Sequence, residues 1–226
     1  RITMFYPNVS LVIIRGNRVN LILASNSSST PISRVYINGN SIWYMILEGN
    51  LDEFVVSNNT FEIYYDYPLT VNAKNNYSPT NLMIVGNTIS SFRMSGISIN
   101  AGNVYLVRNY ITRGELGGAK AINISGGNVF LQENTVDNLL YPSIQYALYV
   151  SGGNVVLDDN RFLSGQIYLG VAVKYRRRSD VATITAGSTR VTVSHGLVSA
   201  PSRILVTPYA NIRVWVENIT STSFDI

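Results

Sequence analysis

The chain has 226 residues, a net charge of +4 and only 13% charged side chains, while 46% of its residues are hydrophobic. It has no cysteine, which excludes disulfides, thiolate metal sites and a cysteine nucleophile. No apolar run approaches the roughly 18 residues of a membrane-spanning helix, so membrane insertion is not expected. The one dense basic run, residues 174–178, is isolated and typical of a solvated linker, so no nucleic-acid partner is expected.

The first two thirds of the chain repeat one motif of strand-forming residues with an asparagine at a fixed position. Its clearest copies open at Asn103, Asn128 and Asn154, which are 128 − 103 = 25 and 154 − 128 = 26 residues apart. A period in the twenties with strand-like residues is typical of a solenoid. Carried back along the chain, the pattern gives seven anchor asparagines: Asn17, Asn40, Asn59, Asn87, Asn109, Asn134 and Asn160.

The positions around each anchor predict which residues point inward. The residues five before, three before and two after the anchor are apolar in every copy. Because alternate residues of a strand point to one side, these residues form one interior when the coils stack in register. We therefore predict an all-β chain with a right-handed parallel β-helix of about seven coils. The anchor asparagines are predicted to form an amide ladder at a corner, with asparagine itself in the left-handed backbone region.

A second ladder of alternating apolar residues is predicted later in each copy. Glycine ends three of the corners after it, at Gly102, Gly127 and Gly153, where a sharp turn needs positive φ. The pairs of the second ladder are Leu69/Val71, Ile97/Ile99, Ile122/Ile124, Leu148/Val150 and Val171/Val173.

The residue four before each anchor should face outward, yet it is apolar in all seven copies. A continuous outer stripe of this kind exceeds what monomers normally expose. Either the long loops at 24–33 and 64–80 cover it or another subunit does, and we favour a subunit interface. The outer stripe consists of Ile13, Tyr36, Val55, Met83, Tyr105, Phe130 and Val156.

The period stops after residue 178, so we predict two domains: a parallel β-helix over residues 1–178 and a C-terminal module over residues 181–226. The module alternates like a small β-sandwich, with five strands predicted at 181–185, 190–195, 203–208, 213–217 and 223–226. A unit of about 45 residues is marginal alone and gains from packing against copies of itself. Its single histidine, His195, is predicted to cap a strand end near Trp215; the alternative is a metal site shared on a three-fold axis.

Two resemblances follow from these residues. The coils resemble the right-handed parallel β-helix superfamily, which includes pectate lyases, polygalacturonases and viral tailspikes. The tail, with Ser194-His195-Gly196-Leu197 and Val214-Trp215-Val216-Glu217-Asn218, resembles the β-modules that close fibre, spike and tail proteins of phages and archaeal viruses. The resemblance implies a homotrimer on the outside of a virion, with the helix as shaft and the module as tip or clamp.

Catalytic signatures of that superfamily are absent from the coils. The nearest feature is the column Arg108, Glu133 and Asp159, with Asp158 alongside. Stacked coils would place Glu133 and Asp159 about 5 Å apart, which suits a retaining glycosidase pair. The alternative is a surface corner where Arg108 pairs with Glu133, and we favour it. No metal and no cofactor are expected.

The sequence thus supports one leading hypothesis and two alternatives. The first is a viral structural protein that attaches the virion to its host, as a fibre, spike or tail component that contacts other virion proteins and host surface glycans. The second is a carbohydrate-active tailspike enzyme, a hydrolase or lyase, with Glu133, Asp158 and Asp159 as its carboxylates. The third is a cellular surface-layer or adhesin fragment.

Overall fold

The computed structural model describes residues 2–4, 11–26, 29–62, 66–112, 114–115, 117–137, 144–163, 165–176, 182–209 and 213–226, with the backbone alone for 2–4 and 21–26. Every regular element in these ranges is a β-strand. No helix is therefore present there, and none long and apolar enough to cross a membrane.

Sheet I contains eight parallel strands, each paired with the copy one coil away. Its strands are β2 (Val12–Arg15), β4 (Ile32–Asn38), β6 (Leu51–Ser57), β9 (Leu82–Val85), β12 (Asn103–Val107), β15 (Asn128–Gln132), β18 (Asn154–Asp158) and β21 (Val173–Tyr175).

Sheet II contains thirteen parallel strands in two arms that meet at the long strand β5. The strands that pass through the first coils are β1 (Ile2–Met4), β3 (Arg18–Asn26) and β5 (Ser41–Gly49). The first arm continues with β7 (Thr60–Phe61), β10 (Thr88–Ile89), β13 (Tyr110–Thr112), β16 (Thr135–Asp137) and β19 (Arg161–Phe162). The second arm continues with β8 (Leu69–Asn72), β11 (Ser95–Ile99), β14 (Ala119–Ile124), β17 (Ile144–Val150) and β20 (Gln166–Leu169).

The chain visits sheet I and then the two arms of sheet II in each turn, which makes an all-β parallel β-solenoid of about five turns. The predicted parallel β-helix is confirmed at this level, whereas the count of seven coils is not. The inward positions around the anchors are buried except for Val12 and Phe162, which are half-buried at the two ends. Burial at roughly 25 cal/mol per Å² of apolar surface makes this column the main stabilising term.

The anchor asparagines lie in one column, and from Asn40 to Asn134 each amide uses both its carbonyl oxygen and its N–H groups. The Nδ2 of Asn109 donates to Asn134 Oδ1 at 2.9 Å and to the carbonyl of Ile84 at 2.8 Å. Its Oδ1 accepts from both the Nδ2 and the backbone N–H of Asn87, at 3.0 and 3.1 Å. The same pattern runs from Asn17 to Asn160. A buried polar column of this kind is tolerated because no donor or acceptor is left unpaired.

One detail of the corner prediction is wrong. The anchor asparagines do not have positive φ; the residue before each anchor does. The side chain of asparagine is fully committed to the ladder, so the turn falls on its neighbour instead. Those neighbours are Gly16, Gly39, Asn58, Gly86, Arg108, Glu133 and Asp159, with φ between 49° and 68°.

The second ladder is buried and in register from Leu69/Val71 to Leu148/Val150. Its last predicted pair is wrong: Leu148 and Val150 are followed by Ile167 and Leu169, whereas Val173 lies in sheet I beside Val155. The three corner glycines do have positive φ, at 97°, 88° and 86° for Gly102, Gly127 and Gly153.

Beyond the solenoid, the described chain contains one small antiparallel sheet, β22 (Thr192–Ser194) with β23 (Ser223–Asp225). A bridge from Tyr175 to Leu197 joins this region to sheet I. The other predicted strands of the module are not formed, and a β-sandwich is not confirmed. The division between residues 178 and 181 lies outside the described residues and stays a prediction.

Candidate functional site

The outer stripe forms a continuous apolar ridge on sheet I. Its members pair directly across successive strands, from Ile13 beside Tyr36 to Phe130 beside Val156. Within the chain, Ile13, Tyr36, Met83 and Tyr105 are between 40% and 59% exposed, and the other three are half-buried. The described parts of the two long loops therefore leave the ridge open to solvent. A flat apolar ridge on a rigid sheet suits contact with another protein surface.

A cation–π contact lies near the C-terminal end of the ridge. Tyr105 and Phe130 meet edge to face with ring centroids 6.0 Å apart. The guanidinium of Arg176 lies 4.7 Å from the Phe130 centroid, within range of a cation–π interaction. The basic run at 174–178 thus contributes Lys174 to strand β21 and Arg176 to the ridge, while 177–178 lie outside the described residues.

The acidic column lies at the corner before the anchor asparagines. Arg108 donates from Nε to Glu133 Oε2 at 2.6 Å, and this bond raises the pKa of Arg108. Asp159 occupies the same corner position one coil further on, and it lines a small hollow of about 270 Å³ with Phe162 and Ile167.

The third candidate carboxylate, Asp158, is buried at the end of β18 and pairs in register with Gln132. It therefore belongs to a different strand position from Glu133 and Asp159. Across the described residues, no group of three or more histidine and acidic side chains is placed to hold a metal ion. The geometry favours the structural ion pair of Arg108 with Glu133 over a catalytic trio.

A tyrosine cluster on the second arm of sheet II was not predicted as a site. Tyr149 stacks on Tyr168 with centroids 4.5 Å apart and planes 15° apart, and Tyr146 packs edge-on against both. The ammonium of Lys120 lies 3.7 Å over the Tyr149 ring. Below Tyr149 in the same column lie Asn123, Ser98 and Thr70. The repeat signals the column of Ser98, Asn123 and Tyr149, whereas Tyr168 joins it through a shorter last coil that the spacing does not predict.

The C-terminal module contains a large open hollow of about 800 Å³, which we call the cup. Its wall is formed by apolar residues of several segments, and Arg203 is the one arginine, lysine or acidic residue among those that line it. The apolar residues of the wall include Ile184, Val191, Val193, Ile204, Val206 and Val214.

His195 is buried in the module and serves its local structure. Its Nδ1 accepts a hydrogen bond from the Leu197 N–H at 3.0 Å, and its ring stacks on Phe224 with centroids 6.2 Å apart. The prediction that it packs near Trp215 stays a prediction, and the ring contact that the structure describes is with Phe224. Trp215 is 70% exposed.

Comparisons with models of protein families, with curated proteins and with solved structures found no match for this chain. The functional reading therefore depends on the molecule's own surfaces. These are one apolar ridge, one aromatic cluster with an ammonium group, one ion-paired acidic corner and one open apolar cup.

Proposed function

We propose that the chain is a structural and attachment protein of a virion, a fibre, spike or tail component at the virion surface. The solenoid serves as a shaft, and the C-terminal module serves as its tip or clamp. The proposed assembly is a homotrimer that contacts other virion proteins and, through its outer surface, host glycans.

The observation that carries this proposal is the outer stripe. It runs in register along sheet I from β2 to β18, and the described residues of one chain leave it open. Enzymes and small-molecule binders concentrate their chemistry in one concave site, whereas the outer stripe is a long ridge. A ridge that follows the axis of a rod is suited to side-by-side packing with identical rods.

The rigidity of the rod also supports a mechanical role. Buried amides and aliphatic side chains repeat along the axis, and each coil is braced by its neighbours. The eight strands of sheet I and the seven linked anchors support a count of seven coils, which we propose together with right-handed winding and a sandwich-like module in the assembled state.

Immunoelectron microscopy tests the proposed location. Antibodies raised against the chain should label purified virus particles released from the source culture, at their fibres or tails. Labelling confined to the cell surface would instead support the surface-layer or adhesin alternative. No labelling of particles in a culture that produces the protein would contradict the proposal.

Light scattering of Tyr105→Asp tests the role of the ridge. Tyr105 is 45% exposed in the single chain, so this change leaves the solenoid core intact. It places a charge at the centre of the proposed interface, and the trimer should dissociate at concentrations where the unmodified chain is associated. The matched control is Tyr67→Asp, on a similarly exposed tyrosine outside the ridge, which should change nothing.

The second candidate is a carbohydrate-active enzyme, a glycoside hydrolase or lyase on the same scaffold. It is favoured by the stacking of Glu133 and Asp159 at one corner, at a spacing of about 4.8 Å per coil. Sugar release from host envelope extracts, abolished in Glu133→Gln and Asp159→Asn, would establish it. Absence of release from extracts to which the protein binds would exclude it.

A further inference from the structure

The residues that the structure describes leave the cup of the C-terminal module open. Among the described residues from 182 to 226, no apolar side chain is buried; the buried positions are His195 and Asp225. The wall residues Ile204, Val206 and Val214 are only half-buried. A unit of this size cannot be stable around an open hollow of about 800 Å³, since burial of apolar surface is what opposes its conformational entropy.

The backbone of the module is also incompletely paired. Residues 203–207 and 213–216 alternate exposed and half-buried side chains as strands do. In the described structure, however, residues 203–208 and 213–216 belong to no strand and make no backbone–backbone hydrogen bond. Unpaired N–H and C=O groups beside an apolar face are a template for strand addition. Within the described residues, the module therefore lacks apolar side chains that fill the cup and strands that pair with residues 203–208 and 213–216.

The same segments carry a second apolar surface. Trp215 follows the wall residue Val214 but is not part of the wall, and it is 70% exposed. Leu205 and Tyr209, at the edge of the cup, are 80% and 95% exposed. One module thus presents an open apolar cup and a projecting indole at the same time.

We propose that the cup of one module receives Trp215 from the module of a second copy of this chain, head to tail, so that three copies close into a ring. A contact between two different surfaces of identical chains generates a ring when its rotation closes. Trp is the aromatic residue that binds cations best, and the cup offers Arg203 with no acidic residue. The ring rests on the proposed homotrimer. It identifies the cup and Trp215 as the residues through which the C-terminal module clamps the three chains together.

The occupant is a copy of this chain rather than an unrelated protein because the two surfaces match in character. Both are apolar, both belong to the same segments, and both are present once in every copy. Ring closure would fill each cup and cover each indole, and it would bring residues 203–208 and 213–216 beside their equivalents in the next copy. An unrelated partner in the cup would leave Trp215 exposed.

Cysteine cross-linking of the full chain tests this arrangement. The chain has no cysteine, so Val206→Cys in the cup and Arg213→Cys, two residues before Trp215, introduce the only two thiols and keep the indole. In the double variant, a short bismaleimide should join the cup of one copy to the indole-bearing segment of the next and yield a covalent species of three chains and no larger. Each single variant should give no covalent trimer. Covalent dimers alone, an open series beyond three chains, or a product confined to single chains would each overturn the proposal.

Light scattering over a concentration series provides the second readout. Trp215→Ala removes a side chain that is 70% exposed in the single chain, so its unfolding temperature as a dissociated chain should be almost unchanged. The concentration at half-assembly should rise at least about tenfold, as expected for a central aromatic contact. Tyr67→Ala, another exposed aromatic residue, should leave it unchanged.

The variants separate this inference from the proposed function. Loss of assembly in Tyr105→Asp with none in Trp215→Ala would overturn the ring and leave the ridge as the interface. Loss in Trp215→Ala supports the ring whichever result the ridge variant gives. Labelling of virus particles by antibody is independent of both.

Discussion

The solenoid and the C-terminal module are built from the same kinds of residue but differ in what surrounds them. Both contain segments in which β-branched residues recur at every second position, as in Ile97-Ser98-Ile99 and Ile204-Leu205-Val206. In the solenoid Ile97 and Ile99 are fully buried, whereas in the module Ile204 and Val206 are half-buried and Leu205 is 80% exposed. The difference lies in partners, because each solenoid strand finds its neighbour one coil away.

A sequence with alternating β-branched residues forms a stable strand only when another strand of the chain lies beside it to accept its backbone hydrogen bonds. In the solenoid the repeat supplies a neighbouring strand at every coil, and the anchor asparagines provide hydrogen bonds for the buried polar groups of the corner. The module has no repeat, and its main internal pairing is β22 with β23. Variants that act on one region and not on the other sharpen or break this contrast.

The largest expected effect is the creation of a cavity in the solenoid. Ile97→Ala removes a fully buried side chain between Leu69 and Ile122 and should lower the free energy of unfolding by about 4 kcal/mol. The matched change Leu205→Ala, in the module of the dissociated chain, should alter it by less than about 0.5 kcal/mol. Denaturant unfolding measures both, and equal effects would break the comparison.

Removal of one ladder amide should be slightly less costly. Asn109→Ala removes the side-chain donor to the Ile84 carbonyl and the acceptor of both the side chain and the backbone N–H of Asn87 in the dry interior, which should cost about 3 kcal/mol. Asn128→Ala removes an amide from an exposed ladder and should cost less than about 0.5 kcal/mol. Thermal unfolding compares the two, and a similar loss for both would mean that burial of the ladder is unimportant.

A methyl group at a corner glycine should have an intermediate effect. A Cβ on Gly153 would lie 2.6 Å from the carbonyl oxygen of Gly127, and its φ of 86° disfavours any other residue. Gly153→Ala should therefore destabilise the solenoid by about 2 kcal/mol. Gly117→Ala, where the space is open and φ is not positive, is the control. A stable Gly153→Ala protein would contradict the close stacking of coils at this corner.

The smallest expected effect is a dependence on pH confined to the module. Hydrogen bonds from Asn218 and Thr192, with a smaller contribution from Arg190, lower the pKa of Asp225 below its ordinary value of 3.8. Its carboxylate therefore stabilises the module fully above that value, and the contribution is lost as pH falls through the lowered pKa. The stability difference between the unmodified chain and Asp225→Asn should shrink below pH 3.8. A difference that grows in acid would contradict this sign.

Much of the solenoid was predictable from sequence because each rule was repeated in every coil. The inward positions, the anchors and the corner glycines all followed from spacing alone. The sequence did not predict that the residue before each anchor has the left-handed backbone. The asparagine amide bonds to the anchors of the coils above and below, and these contacts between coils are not visible in one copy of the repeat. The shift from Val171/Val173 to Ile167/Leu169 was missed because the last coil is shorter and no further copy fixes its register.

The candidate surfaces were predictable to a smaller extent. Alternation placed the outer stripe, since register follows from the repeat, but it did not place the tyrosine cluster with Lys120. In the module, alternation predicted five strands, of which the pair Thr192–Ser194 and Ser223–Asp225 is formed. The propensity of a segment indicates that it favours an extended chain. Whether it forms a strand depends on a second strand that can pair with it, which its own residues do not reveal.

Amide hydrogen exchange of the full chain, at concentrations below and above assembly, tests the contrast between the two regions most directly. Amides in the strands of sheet I and sheet II should be protected at both concentrations. Those in residues 203–208 and 213–216 should exchange rapidly in the dissociated chain and become protected on assembly. Protection of these module residues that is already complete in the dissociated chain would contradict the account.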